Sequence, residues 1–114
     1  MPYSTAAKNQ MLNAMTLAYA SLHTADPGDT GANEVVGGSP AYARRAITVG
    51  TAANGTRSAS NQPTLDVPSG TTVRYVGYWS ASSGGTFLGS YDVQDEVFSV
   101  QGTYTITAAT FSVS

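Results

Sequence analysis

Cysteine is absent from this 114-residue chain. That excludes a disulfide framework, a thiol nucleophile and cysteine-ligated zinc. Charge is scarce too: 11% of residues are charged, against roughly a quarter in an average soluble domain. The five cations, Lys8, Arg44, Arg45, Arg57 and Arg74, form no long run. Nucleic-acid binding needs many phosphate contacts and is not expected. No apolar run reaches the roughly 18 residues that a membrane-spanning helix needs. The opening "MPYSTAAKNQ" lacks the basic segment and apolar stretch of a signal peptide, so the sequence predicts a soluble protein made in a cytoplasm. Histidine occurs once, as His23.

Serine and threonine fill the polar surface that charge leaves vacant, and threonine also favours strands. A chain of this length supports one core. It reads as a single domain over residues 1–114, with a helical segment at 1–16 and a β domain at 17–114. Ser4 is a helix N-cap candidate. After it, "TAAKNQMLNAM" is free of Gly and Pro and rich in helix formers. Ala7, Met11, Ala14 and Met15 recur at helical spacing and define the expected apolar face of a helix over residues 4–15.

Strand texture begins at "LAYASLHT" and runs into "ADPGDTG", where Pro presets one φ and Gly supplies a positive one. "GDTGANEVVGGSP" reads as a long surface loop, and "YARRAITVG" as a strand. Asn54-Gly55 is a strong hairpin signal. "TTVRYVGYWSA" is the best strand. It has Val73, Tyr75, Gly77 and Trp79 on one face, and Arg74, Val76, Tyr78 and Ser80 on the other. The first face is expected in the core, which leaves Tyr78 as a contact candidate. Ser83-Gly84-Gly85 then turns into "TFLGSYDV", and "DEVFSVQ", "TYTITA" and "TFSVS" follow. One short helix and about seven short strands with regularly spaced turns predict a mainly β protein, a single β-sandwich or jelly-roll-like domain.

Catalytic signals are thin. A serine nucleophile needs a base, and His23 is the one histidine available. No Gly-x-Ser-x-Gly elbow surrounds any serine. Asp92, Asp95 and Glu96 cluster in "YDVQDEVF", and Asp26 and Asp29 in "ADPGDTG". Nearness in sequence does not set two carboxyls across a cleft as a glycosidase requires, so Asp26 and Asp29 read as side chains closing Asx turns. "DPGDTGANE" offers oxygen ligands for calcium but lacks EF-hand spacing. "VVGGSP" and "SSGGTF" are turns, not phosphate loops. The expectation is no enzyme, no cofactor and no metal. His23 ends a strand, as a structural hydrogen-bonder or a surface residue.

"YASLHTADPGDTGANEVVGGSPAYARRAITVG" together with "VGYWSASSGGTFLGS" resembles a family of small virion structural proteins of actinobacterial phages, often labelled tail fibre or minor tail proteins. The resemblance implies a virion component that is synthesised in the host cytoplasm. Size and composition are similar to those of capsid decoration proteins. The first reading is therefore a decoration or minor capsid protein that cements the shell as a homotrimer by binding the major capsid protein. A minor tail or fibre-associated protein is the alternative. A carbohydrate-binding module and a small hydrolase rank below both. Met11, Met15, Arg44, Arg45 and Tyr78 are the candidate interface residues, and neither membrane nor nucleic acid is an expected partner.

Overall fold

The computed structural model describes residues 3–107 and 110–112. Helix α1 spans Thr5–Ala14, and Ser4 caps it by accepting the amide of Ala7 at 3.1 Å. Among the described residues eight strands follow: β1 Tyr19–His23, β2 Arg45–Ala46, β3 Thr56–Ser58, β4 Thr64–Val67, β5 Thr71–Trp79, β6 Phe87–Phe98, β7 Gly102–Thr105 and β8 Thr110–Ser112. The protein is mainly β with one short helix, as its turn spacing predicts. "TFLGSYDV" and "DEVFSVQ" are not separate strands. They form the single long β6, whose pairing with β5 slips between Val73 and Tyr75.

A four-stranded antiparallel sheet runs β2-β1-β5-β6, and two ribbons, β3-β8 and β4-β7, complete the strand set. One face of the sheet, with Ala20, Leu22, Val76 and Tyr78, packs on Leu65 and Val67 of β4 and on Ile106 to form the core. Val73 and Val76, three apart, both belong to that core. The alternation of β5 therefore slips at the irregularity around Arg74, and Val73 leaves the face its spacing assigned to it. Tyr78 is 2% exposed and lies in the core, edge-on to Tyr91 and Phe111. Its expected contact role is thereby corrected. The face assigned to the core carries Trp79 as well, but what buries it is a loop, residues 24–44.

The Asn54-Gly55 signal holds. Both residues have positive φ, and Ala53 and Thr56 exchange two backbone hydrogen bonds across the turn. Against this hairpin lies α1. Its buried residue is Leu12, while Met11 and Met15 are half-buried and Ala14 is exposed. The docking face is thus centred on Leu12 rather than on the Met and Ala stripe. The reason is polar: Asn9 Oδ1 accepts the Gly55 amide and Asn13 Oδ1 accepts that of Ala52, both at 2.9 Å. Arg57 closes the other end, donating to the carbonyls of Leu12 and Met15, where the helix leaves acceptors unpaired.

Candidate functional site: a sealed polar cluster under the loop

The second face of the sheet is unusually polar for a covered surface. Alternation puts Tyr19, Ser21 and His23 of β1 on it. Register places Trp79 opposite Tyr19, Gly77 opposite Ser21 and Tyr75 opposite His23. Gly77 matters because a Cβ there would come within 2.6 Å of Ser21 Oγ and 3.0 Å of Phe87. The bare backbone makes the space in which Ser21 and His23 meet.

Ser21 Oγ and His23 Nε2 are 2.7 Å apart, and His23 Nδ1 lies 2.8 Å from the carbonyl of Ala32. The indole N–H of Trp79 donates to Ser21 Oγ at 2.9 Å. The carbonyl can only accept and the indole can only donate. Nδ1 therefore carries the proton, Nε2 accepts from the Ser21 hydroxyl, and the chain of donors runs one way from Trp79 through Ser21 and His23 to Ala32. A hydroxyl, a base and an orienting acceptor in this order resemble a nucleophile pair. Yet Ser21 and His23 are both fully buried. The hydroxyl oxygen is already bound by the indole, so no substrate atom has a path to it.

Loop residues 24–44 form the cover. Asp26 starts it with an Asx turn, its Oδ1 accepting the Gly28 amide at 2.9 Å. At Gly31 (φ 76°) the backbone passes directly over the Trp79 ring, and a Cβ there would overlap the indole. Val35 enters the core and its amide donates to the Leu22 carbonyl. Glu34 takes Arg44 as a two-pronged pair at 2.9 and 3.0 Å and accepts the Tyr42 hydroxyl at 2.7 Å. The remaining Arg44 nitrogen donates to the carbonyls of Ala81 and Gly84. Arg44 therefore ties the loop to the β5–β6 turn, and with 9% of its side chain exposed it has little surface to offer another molecule. Its expected role as an interface cation is corrected.

Electrostatics follow from this packing. Burial pushes the His23 imidazole below its ordinary value; the Ala32 carbonyl and Glu34 oppose the shift, and Arg44 adds to it. Burial would raise the Glu34 carboxyl, but hydrogen bonds from Arg44 and Tyr42 outweigh that and hold it low. Burial raises the Tyr42 phenol far above its ordinary range.

Among the other residues singled out from sequence, Arg45 is half exposed and pairs with Asp66 at 3.2 Å. Asp95 pairs with Arg74 at the surface, 3.3 Å away. Among the described residues, no group of three His, Asp or Glu side chains is placed to hold a metal ion. Sequence reasoning missed the convergence of Ser21, His23, Trp79, Glu34 and Arg44. The one local signal was the glycine at the middle of the best strand.

Fold and cluster together describe a small mainly β protein whose densest hydrogen-bonding chemistry is turned inward. The family model for "Podophage GP4 fiber I protein gp80" matches residues 3–114, and the chain belongs to that family of phage structural proteins. No curated protein matches it.

Proposed function

We propose that this protein is a non-enzymatic part of the phage tail, a fibre or fibre-associated domain that works by holding other virion proteins. The family match over nearly the whole chain carries this reading. It favours the tail alternative over the decoration role that size and composition first suggested. The inward-turned cluster supports it as well. Ser21, His23, Glu34 and Arg44 spend their hydrogen bonds on fixing a loop rather than on lining a cleft.

Assembly then rests on contact area. A stable contact buries on the order of 1,200 Å² in total, and several contacts made at once must break together. Met11 and Arg45 keep surface to offer. Val36, Val97 and Val100 join them, each more than 70% exposed. A homotrimer on the particle gives one geometry for such contacts. Quantitative mass spectrometry of purified virions, with immunogold labelling, tests the assignment. A handful of copies per particle, located at the tail, is expected. Hundreds of copies spread over the shell restore the decoration reading, and absence from particles removes both.

A further inference from the structure

We propose that His23 is an acid-sensitive latch: proton uptake at Nε2 releases residues 24–44 from the sheet and uncovers the rings of Trp79 and Phe87.

The argument is one of donor bookkeeping in a sealed space. In the neutral ring every group in the series has one partner of the right kind: Trp79 donates to Ser21, Ser21 to Nε2, and Nδ1 to Ala32. A proton taken from solvent onto Nε2 turns that nitrogen into a donor. It then points at Ser21 Oγ, which already accepts from the indole. The serine hydroxyl proton loses Nε2, the acceptor it had. Gly77 lies against both atoms, so the cluster has no slack in which to rearrange. The imidazole and Ser21 are fully buried, and a new charge beside a displaced hydroxyl proton is costly there.

The charges around His23 do not cancel this cost. On the loop side stand Glu34 and Arg44, already bound to each other. Across the sheet, Tyr75 is opposite His23 in register, and Asp92 is opposite Tyr75 on β6. Arg74 sits beside the start of the loop, donating to the Thr24 carbonyl and pairing with Asp95. Asp26, at the loop's first turn, is occupied by the Gly28 amide. The relaxed solution is for the ring to leave with the segment whose carbonyl it holds. The ribbon β4-β7, on the opposite face of the sheet, has no part in the cluster and keeps its pairing.

The chain has a single histidine and a single tryptophan, so both ends of the latch report without labels. On lowering the pH from about 7.5 through histidine's ordinary 6.5 and below, Trp79 emission should shift to the red and become quenchable by acrylamide. Its midpoint should coincide with that of the His23 ring nitrogen shifts in NMR, which should show the Nδ1–H tautomer at neutral pH. Amides of Thr24, Ala32 and Val35 should exchange at least about tenfold faster, while those of β4 and β7 stay protected. His23→Gln, which cannot titrate, should lack the transition. The proposal is overturned if Trp79 emission stays flat, if the two midpoints differ, if β4 and β7 lose protection in step, or if His23→Gln shows the same transition. The wild-type midpoints decide the matter even if that variant fails to fold.

Discussion

Arg44 lies over the indole of Trp79, its Cζ 3.6 Å from the ring centroid. The same guanidinium holds Glu34 in two hydrogen bonds and two carbonyls of the β5–β6 turn. One side chain thus clamps loop, sheet and turn together, and only 9% of it is exposed. Arg44→Ala removes the clamp and strands a half-buried carboxylate, at an expected cost of about 3 kcal/mol. Arg44→Lys should recover less than half of this, because an ammonium cannot reproduce the planar fork. Urea unfolding of the three proteins measures both.

Glycines grade the tightness of the cover. Gly28→Ala places a methyl group in open space at φ 61°, so the cost is backbone strain alone, about 1 kcal/mol. Gly77→Ala drives a methyl into Ser21, His23 and Phe87 and should cost about 2–3 kcal/mol. Gly31→Ala combines a positive φ with overlap of the Trp79 ring and should be the worst of the three. Thermal unfolding of the set should rank them Gly28, Gly77, Gly31; any other order contradicts the packing described for the loop.

The helix docks through Leu12, which is fully buried. Leu12→Ala should destabilise the domain by about 2–4 kcal/mol. Met11→Ala, half exposed, should cost less than about 1 kcal/mol. Ser4→Ala removes the cap and should cost about 1 kcal/mol. Chemical denaturation distinguishes this from a helix docked by its methionine stripe, for which the Leu12 and Met11 values would exchange places.

Stability should depend on pH through two groups whose losses begin at different pH. The folded-state value of His23 lies below its ordinary 6.5, so the unfolded chain binds a proton first. Its contribution is complete above 6.5 and is lost as the pH falls toward the folded value. Glu34 is also depressed, from an ordinary 4.5. Its contribution is complete above 4.5 and is lost at lower pH, as the carboxyl protonates in the fold. Urea midpoints should begin to fall below 6.5 and fall further below 4.5, and His23→Gln should erase the onset at 6.5 while leaving the loss below 4.5.

The Tyr78 hydroxyl is buried and has no hydrogen-bond partner among the described residues. Its burial is a cost that the ring's packing against Tyr91 and Phe111 offsets. Tyr78→Phe keeps the ring and removes the cost. It should therefore be neutral or stabilising by up to about 1 kcal/mol, read from the urea midpoint.

Several elements were plain in the order of residues because their causes are local. Ser4 caps the helix it precedes, and Asn54-Gly55 supplies two positive φ values where a two-residue hairpin needs them. Asp26 folds back on Gly28 as an Asx turn does. The apolar spacing of Ala7, Met11, Ala14 and Met15 does not mark the docking side, because Asn9 and Asn13 decide it by reaching the hairpin amides. The alternation in β5 is legible only beyond Arg74, from Tyr75 to Trp79, since the slip before it depends on how β6 pairs there. Arg44 and Arg45 look alike in sequence. One is buried in a clamp and the other half exposed.

The sequence alone determined a mainly β chain with one capped helix, because propensity, capping and turn chemistry act over a few neighbouring residues. Tertiary structure decided the rest. Ser21, His23, Glu34, Arg44 and Trp79 span 58 positions and meet only because β1 pairs with β5 in one register and a loop folds across both. Register and loop docking are set by burial over the whole domain. Whether a lone histidine sits in water or sealed beneath a loop is therefore decided only when that domain closes.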